Sequence, residues 1–407
     1  MRLLALCTDR GVPVDGAKGA TVHLVELWRA LAHRGAHIVG LAPWRGGTLP
    51  SAPPGLEIGP VRMLGAGDHE FALRLRHHAL DWVGRARPQA VLERLALGSR
   101  LGLEIRQRTG APLVVEVNAP LDREAARYRV PPTPEELDAL RDTLQGADRV
   151  YCVSRGLIEW ARGQGAPEGR LELLANGVDV GRFGPPAPAA GGAGRQPTPA
   201  AEGDSKDVCR LRTGFTGSFK PWHGLEHLIE GVGLVRARGI DLGLELLGDG
   251  PGRPQLEERA RALGLGAHVR FLGARPHEQV PAFLHGLDIA VAPAAAEEDY
   301  YFSPLKLFEY AAAGCAIVAP AAGEVPEWLR HGDEAWLVRP ADPAALADAF
   351  ARLASDPALR RSLGAAARAR AEREFGWDRV AERIIGWVRQ GRRDDAAPVG
   401  TPERGRA

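Results

Sequence analysis

Leu242-Gly243-Leu244-Glu245-Leu246-Leu247 is a short apolar run, and Gly248-Asp249-Gly250-Pro251-Gly252 ends it with the residue types that best break regular structure. Six residues bounded by such a turn predict a buried strand rather than a helix. Behind it, Leu225 to Arg238 reads as a helix. Ahead lie a helix at Pro254 to Leu263 and a second strand at Val269 to Leu272. Apolar strands alternating with helices imply a parallel sheet covered on both faces.

The same alternation extends in both directions. Phe215-Thr216-Gly217 ends an earlier strand, while Asp288 to Ala292 (strand), Pro304 to Ala313 (helix) and Ala316 to Ala319 (strand) follow. Nearer the start, Leu3 to Cys7 reads as a strand running into a Gly-rich loop, Gly11 to Gly19. The next helix carries Leu24, Leu27, Trp28 and Leu31 on one face and ends at Gly35. Ile38 to Leu41, Ala90 to Leu92, Leu113 to Val117 and Val150 to Val153 complete a first α/β half. Two such halves in series predict an α/β chain of two Rossmann-like domains facing each other across a cleft.

Between the halves, Pro185 to Asp207 is dense in Pro, Ala and Gly and offers too little apolar bulk to offset the entropy of ordering. The expected organisation is therefore a first domain over 1–184, a disordered linker over 185–207 and a second domain over 208–375. A final helix over about 376–390 and a disordered tail over 391–407 follow.

A chain of 407 residues suits two cores. Its formal charge of +1 provides no overall field to attract nucleic acid. The four cysteines, Cys7, Cys152, Cys209 and Cys315, show no metal-site spacing and read as small buried hydrophobes. The first apolar run is too short for a signal peptide, and no stretch is long enough to span a bilayer, so a cytoplasmic location is expected. Arg74 to Arg87 carries Leu75, Leu80, Trp82 and Val83 between its charges and reads as a solvated helix face, with a peripheral contact to an inner membrane face as the rival reading.

Ligands of doubly wound sheets bind where the carboxyl ends of the strands converge. Three loops there carry residues suited to a diphosphate. Gly16-Ala17-Lys18-Gly19-Ala20-Thr21 leads into a helix whose first amides can receive an anion. Gly217-Ser218-Phe219-Lys220-Pro221-Trp222-His223-Gly224 offers Lys220 and His223 as cationic donors to a leaving diphosphate. In Ser303-Pro304-Leu305-Lys306-Leu307-Phe308-Glu309-Tyr310-Ala311, Ser303 suits an N-cap and Pro304 a first helical residue. Glu309, set among apolar neighbours, needs a partner such as the paired hydroxyls of a ribose.

Together these motifs resemble the retaining family 4 glycosyltransferases (glycosyltransferase group 1) of GT-B fold. The resemblance rests on Asn176-Gly177-Val178-Asp179 with Phe183, Leu247-Gly248-Asp249-Gly250-Pro251, and Val269-Arg270-Phe271-Leu272-Gly273. Asp288-Ile289-Ala290-Val291-Ala292-Pro293 and Leu307-Phe308-Glu309-Tyr310-Ala311-Ala312-Ala313-Gly314 extend it over nearly the whole chain. It implies a nucleotide-sugar donor held mainly by the second domain, with Glu309 on the ribose, and a final helix that crosses back onto the first. No metal and no cofactor are expected besides the donor substrate. Three departures stand out. Tyr301 occupies the place of the family's first motif glutamate, with Glu297, Glu298 and Asp299 just upstream. Ser218 and His223 replace an Arg and a Lys of the phosphate loop. Asn118 stands where many relatives have a histidine.

The expected activity is transfer of a hexosyl group from a nucleoside diphosphate sugar to a glycan, lipid-linked or small-molecule acceptor, with retention of configuration. Lys220, His223 and Asn118 are the expected catalytic residues. The donor is expected to meet Gly16, Gly19, Ser218, Gly248, Asp249, Arg275, Glu298, Asp299, Tyr301, Ser303, Leu305, Lys306 and Glu309. The acceptor is expected near Lys18, His23, Glu93 and Arg94. Rival readings are a nucleotide-sugar epimerase or phosphorylase of the same fold, a NAD-dependent dehydrogenase, and a non-catalytic nucleotide-sugar-binding relative. A missing GxGxxG after the first strand counts against the dehydrogenase.

Overall fold

The computed structural model describes residues 1–16, 18–63, 68–128, 130–184, 211–295, 301 and 303–396. The expected linker, together with Glu297, Glu298 and Asp299, lies outside the described residues. In the first half the elements run β1 (Arg2–Cys7), α1 (Gly19–His33), β2 (His37–Trp44), β3 (Leu56–Arg62), α2 (Asp68–Ala86) and β4 (Ala90–Arg94). They continue as α3 (Leu101–Thr109), β5 (Leu113–Val117), α4 (Leu121–Tyr128), α5 (Pro134–Gly146), β6 (Arg149–Cys152), α6 (Arg155–Gly163) and β7 (Leu171–Leu173).

The second half begins with β8 (Leu211–Thr216), α7 (Leu225–Ala237), β9 (Leu242–Leu247), α8 (Arg253–Ala262), β10 (Val269–Gly273), α9 (Val280–His285) and β11 (Ile289–Val291). It closes with α10 (Leu305–Ala312), β12 (Ala316–Pro320), α11 (Val325–Trp328), β13 (Trp336–Val338), α12 (Pro343–Ser355) and α13 (Pro357–Arg370), followed by α14 (Trp377–Ala396).

The two sheets share one strand plan. The first is ordered β3-β2-β1-β4-β5-β6-β7 and the second β10-β9-β8-β11-β12-β13, and every described pairing is parallel. In each, the order reverses beside the first strand, which opens a crevice at the carboxyl ends. Strands such as β9 are buried at every position, as helices on both faces require.

α14 belongs to the first half in space. Trp377, Val380, Ala381, Ile384, Ile385, Trp387 and Val388 are buried in one core with α1 and with Leu3, Ala5 and Leu92 of the sheet. The crossing is made possible at Gly177, where a Cβ would lie 2.8 Å from the Cα of Trp377. Beside it, Val178 and Gly376 form a parallel bridge between the outgoing and returning chain. The helix runs to Ala396, past the expected end at 390, so 391–396 are helical where a tail was expected. Arg392, Arg393, Asp394 and Asp395 are compatible with helix, and the single Gly391 costs only about 1 kcal/mol.

On α2 the arginines are matched by carboxylates: Arg74 with Glu70, Arg76 with Glu104 and Arg85 with Asp81. That pairing fits a solvated face. Among the described residues no helix is long and apolar enough to cross a membrane.

Candidate active site

Two helix N-termini meet across the cleft. α1 begins after Lys18 and α10 after Pro304; neither has a side-chain cap or an acidic residue in its first turn. A Cβ built on Gly19 would lie 3.9 Å from Cδ1 of Leu305, so the two ends border one space. The first amides of a helix have no intrahelical partner and carry partial positive charge. An anion between these ends would be bound from both halves.

The cation at this place is Lys306, on the first turn of α10. Its Nζ lies 3.9 Å from the centre of the Phe215 ring and 3.4 Å from Nδ1 of His223. A Cβ on Gly217, whose φ is +138°, would stand 2.9 Å from that nitrogen, so the glycine leaves room for the ammonium. Burial pushes the Lys306 pKa down to about 7, with Glu309 acting weakly the other way. For His223, burial and then Lys306 hold the pKa well below the usual imidazole range. His223 was expected as a cation; its ring lies against Phe215 and Trp222 beside Lys306, surroundings that disfavour the imidazolium. Lys220 lies over the Trp222 ring at 5.6 Å, at the start of a 3-10 turn over Pro221–His223.

Glu309 sits one turn deeper on α10, 8% exposed, with Oε1 2.7 Å from Nε2 of His277. The partner is thus a histidine from the 3-10 turn after β10, and its ring lies 5.5 Å from that of Phe183. His277 was not anticipated, although it follows a strand end as closely as the loops that were. Arg275, two residues earlier, is exposed.

Gly248 and Asp249 support the Gly217 loop. Gly248, with φ +146°, is packed so closely that a Cβ would fall 1.8 Å from the carbonyl oxygen of Gly217. Phe219 N donates to Asp249 O at 3.0 Å, and the Asp249 carboxylate accepts from Gly250 N. The same carboxylate stands 3.6 Å from the Arg253 guanidinium and is exposed. Ser218 is half-buried in the supported loop. Gly16 likewise belongs to a turn: its N–H donates to Pro13 O, and a Cβ would press on Thr21 Oγ1 at 2.7 Å.

Ser303 does not cap α10. Its hydroxyl accepts from Asn176 N at 3.2 Å and its carbonyl from Asn176 Nδ2 at 2.6 Å, which fastens the approach to α10 onto the segment that connects the halves. Tyr301, expected at the donor, turns to the first half, where its hydroxyl donates to Glu124 and makes a bond between the halves.

Register places Cys7, Arg94, Glu116 and Tyr151 side by side across β1, β4, β5 and β6. Glu116, 2% exposed, accepts from Tyr151 Oη at 2.7 Å and meets His23 Nε2 at 2.5 Å, with Arg94 at 3.6 Å. Although burial opposes ionisation, His23 and Arg94 bring the Glu116 pKa down to about 2. His23, 4% exposed beneath the Trp377 ring, is thus a core residue, which corrects its expected acceptor role. Glu93 is corrected too: fully buried, it accepts from Ser99 Oγ and Gly102 N and steadies the start of α3. Lys18 is exposed at the mouth of α1. Arg94 Nη1, Asn118 Nδ2 and Thr8 Oγ1 are buried at the carboxyl ends of the central strands without a hydrogen-bond partner, although Arg94 Nη1 stands 3.6 Å from Glu116. Such groups are costly unless a ligand or water meets them.

The chain is similar to known proteins over both halves. Residues 210–356 match the family model described as glycosyl transferases group 1, and residues 17–182 the one described as glycosyltransferase family 4. The D-inositol 3-phosphate glycosyltransferase of Streptomyces coelicolor is 27% identical over 403 residues, covering 90% of this chain and 85% of that protein. A GDP-mannose-dependent alpha-(1-6)-phosphatidylinositol monomannoside mannosyltransferase of Mycobacterium tuberculosis is 28% identical over 271 residues, 65% of this chain and 66% of its own. Among solved structures, sucrose-phosphate synthase from Thermosynechococcus elongatus superposes with a TM-score of 0.75 at 20% identity, covering 97% of this chain and 99% of that one. HepE from Anabaena in complex with UDP-glucose gives 0.67 at 16% identity, over 96% and 100%. These two structures share the two-domain GT-B fold.

Proposed function

The chain belongs to the group 1, family 4 glycosyltransferases, and from that membership we propose that it moves a hexosyl group from a nucleoside diphosphate sugar, held by the second half, to a hydroxyl of an acceptor on the first. The observation that carries this reading is the meeting of the two uncapped helix ends at Gly19 and Leu305, with Lys306 beside them. A diphosphate there would receive amide donors from both halves and the ammonium of Lys306. Such donors count most where charge develops as the bond breaks.

In the proposed step, the bond between the anomeric carbon and the diphosphate oxygen breaks, and its electron pair leaves with the diphosphate. The acceptor oxygen bonds to the same carbon, and its proton passes to the leaving group. We propose retention of configuration and no metal, in keeping with the family resemblance. Glu309, oriented by His277, would hold the ribose hydroxyls. Lys220 would complete the charge around the diphosphate.

For the acceptor, the buried amide of Asn118, without a hydrogen-bond partner, favours an oxygen-rich molecule. The inositol phosphate and phosphatidylinositol mannoside named for the relatives are the first acceptors to try. A cytoplasmic location is part of this reading. The relatives, being transferases, favour it over an epimerase.

The test is a thermal-shift titration with UDP-glucose and GDP-mannose, with NAD as control. A ligand at 100 times its dissociation constant adds about 2.7 kcal/mol of stability, a plain rise in melting temperature. One sugar nucleotide should raise it and NAD should not. A response to NAD alone, or to none of the three, would overturn the reading.

A further inference from the structure

We propose that Tyr301 is a positioning residue that ties the two halves together, so that closing the cleft and presenting the start of α10 become one event. This deepens the glycosyl-transfer reading and rests on it for its purpose. The tie itself rests on geometry alone.

Tyr301 lies in the second half, two residues before Ser303 and four before Leu305. Its hydroxyl donates to Oε1 of Glu124 on α4, and its carbonyl accepts from Oγ of Ser154. Its side chain packs against the core of the first half, with Cβ 3.9 Å from the position of a Cβ built on Gly156. Ser154 is the N-cap of α6 and also accepts from Leu157 N, so one hydroxyl serves its helix and the opposite half. The next residue continues the contact. Arg155 N donates to Glu324, 6% exposed, and the Arg155 guanidinium pairs with Glu327.

Ser303 adds its two bonds with Asn176, on the connecting segment whose Val178 and Phe183 pack in the core of the second half, so the tie between the halves rests on Tyr301 and on the Ser154 and Arg155 contacts. The helix that follows carries the amides and the ammonium proposed for the diphosphate. When the halves part, Tyr301 must either leave Glu124 or pull on α10. On parting, the half-buried phenol exchanges Glu124 for water and its ring loses its packing on the first half, so the bond and the packing together favour the closed arrangement modestly. A glutamate, shorter and negatively charged, would face Glu124 with repulsion at this place.

The experiment compares Tyr301→Phe, Glu124→Ala, Glu124→Gln and the Tyr301→Phe/Glu124→Ala double variant. Each is measured by small-angle scattering and by titration with UDP, GDP, UDP-glucose and GDP-mannose. Circular dichroism confirms that each is folded. Tyr301→Phe and Glu124→Ala should each increase the radius of gyration, and the double variant should increase it no further. Glu124→Gln keeps an oxygen for the phenol and should restore the wild-type value. An unchanged radius in Tyr301→Phe, or a fully additive double variant, would overturn the tie. So would a roughly threefold or greater loss of sugar-nucleotide affinity with UDP and GDP affinity intact, since that places Tyr301 on the donor sugar. Scattering needs no ligand, so it decides the tie even if no nucleotide binds and the transferase reading fails.

Discussion

Oε1 of Glu309 lies 2.7 Å from Nε2 of His277, a pairing that joins α10 to the strand-end loop after β10. It gives a buried carboxylate a fixed direction and leaves its second oxygen for a ligand. Glu309→Gln should weaken UDP or GDP binding by about 2 kcal/mol, roughly thirtyfold, while the far-ultraviolet spectrum is unchanged. His277→Ala should lose less, because it frees the carboxylate without removing it. Calorimetric titration of both variants checks the order; normal affinity in Glu309→Gln would remove the ribose assignment.

With Lys306 on the diphosphate, as proposed, nucleotide binding should depend on pH. Without ligand its pKa is held down to about 7 by burial. A diphosphate favours the charged ammonium and raises that pKa, so binding takes up a proton above neutrality. Affinity for UDP or GDP should therefore fall as pH rises above about 7, with an apparent enthalpy that varies with the buffer's ionisation enthalpy. Lys306→Met should bind about 2 kcal/mol more weakly at neutral pH and lose this slope. A slope that persists in Lys306→Met would point to another group.

Glu93 is raised to about 7, chiefly by burial, against the pull of Ser99 and Gly102. An acid whose folded pKa exceeds its unfolded one binds its proton more tightly when folded. Its protonated form therefore stabilises at low pH, and that stability is lost as pH rises from about 4.5 through about 7. Glu93→Gln resembles the protonated acid, with its oxygen free to accept from Gly102 N and its amide able to donate to Ser99, and is never charged. The variant should melt close to wild type near pH 5 and above it near pH 8, by on the order of 3 kcal/mol at most. A constant gap across that range would contradict the shift.

Gly177→Ala places a methyl 2.8 Å from the backbone of Trp377, where no side-chain rotation can relieve it. The returning helix must then shift from the first half. The expected cost is about 1–3 kcal/mol, read as a lower melting temperature and altered tryptophan fluorescence. Wild-type stability would show that the crossing tolerates more movement than its packing implies.

Most of the architecture was legible because its strands are continuous apolar runs between helices of clear period. β3 was not, because Gly59 and Pro60 interrupt Leu56–Arg62. Its place at the sheet edge tolerates a proline that an inner strand would not. β7 and β13, at three residues each, are too short for a periodic signal.

The site was legible in its loops more than in its side chains. Gly19, Leu305, Lys306 and Glu309 come together where strand ends and helix starts were expected to converge. Sequence alone could not show that the surroundings of His223 disfavour its charged form, because that depends on Phe215 and Lys306 arriving from other elements. Nor could it show that Tyr301 reaches Glu124, 177 positions away. His23 and Glu93 looked available because both lie near strand ends in the chain, yet Glu116 and the start of α3 take them inside.

The helix that returns across Gly177 also fixes an order of assembly. During synthesis, β1, α1 and their neighbours emerge long before Trp377, Ile384 and Trp387, which close their core. Until those residues leave the ribosome, one wall of the first half is bare hydrophobic surface, while the second half is already complete in sequence. The domain that is begun first is finished last, and a nascent chain of this protein must be shielded over that interval.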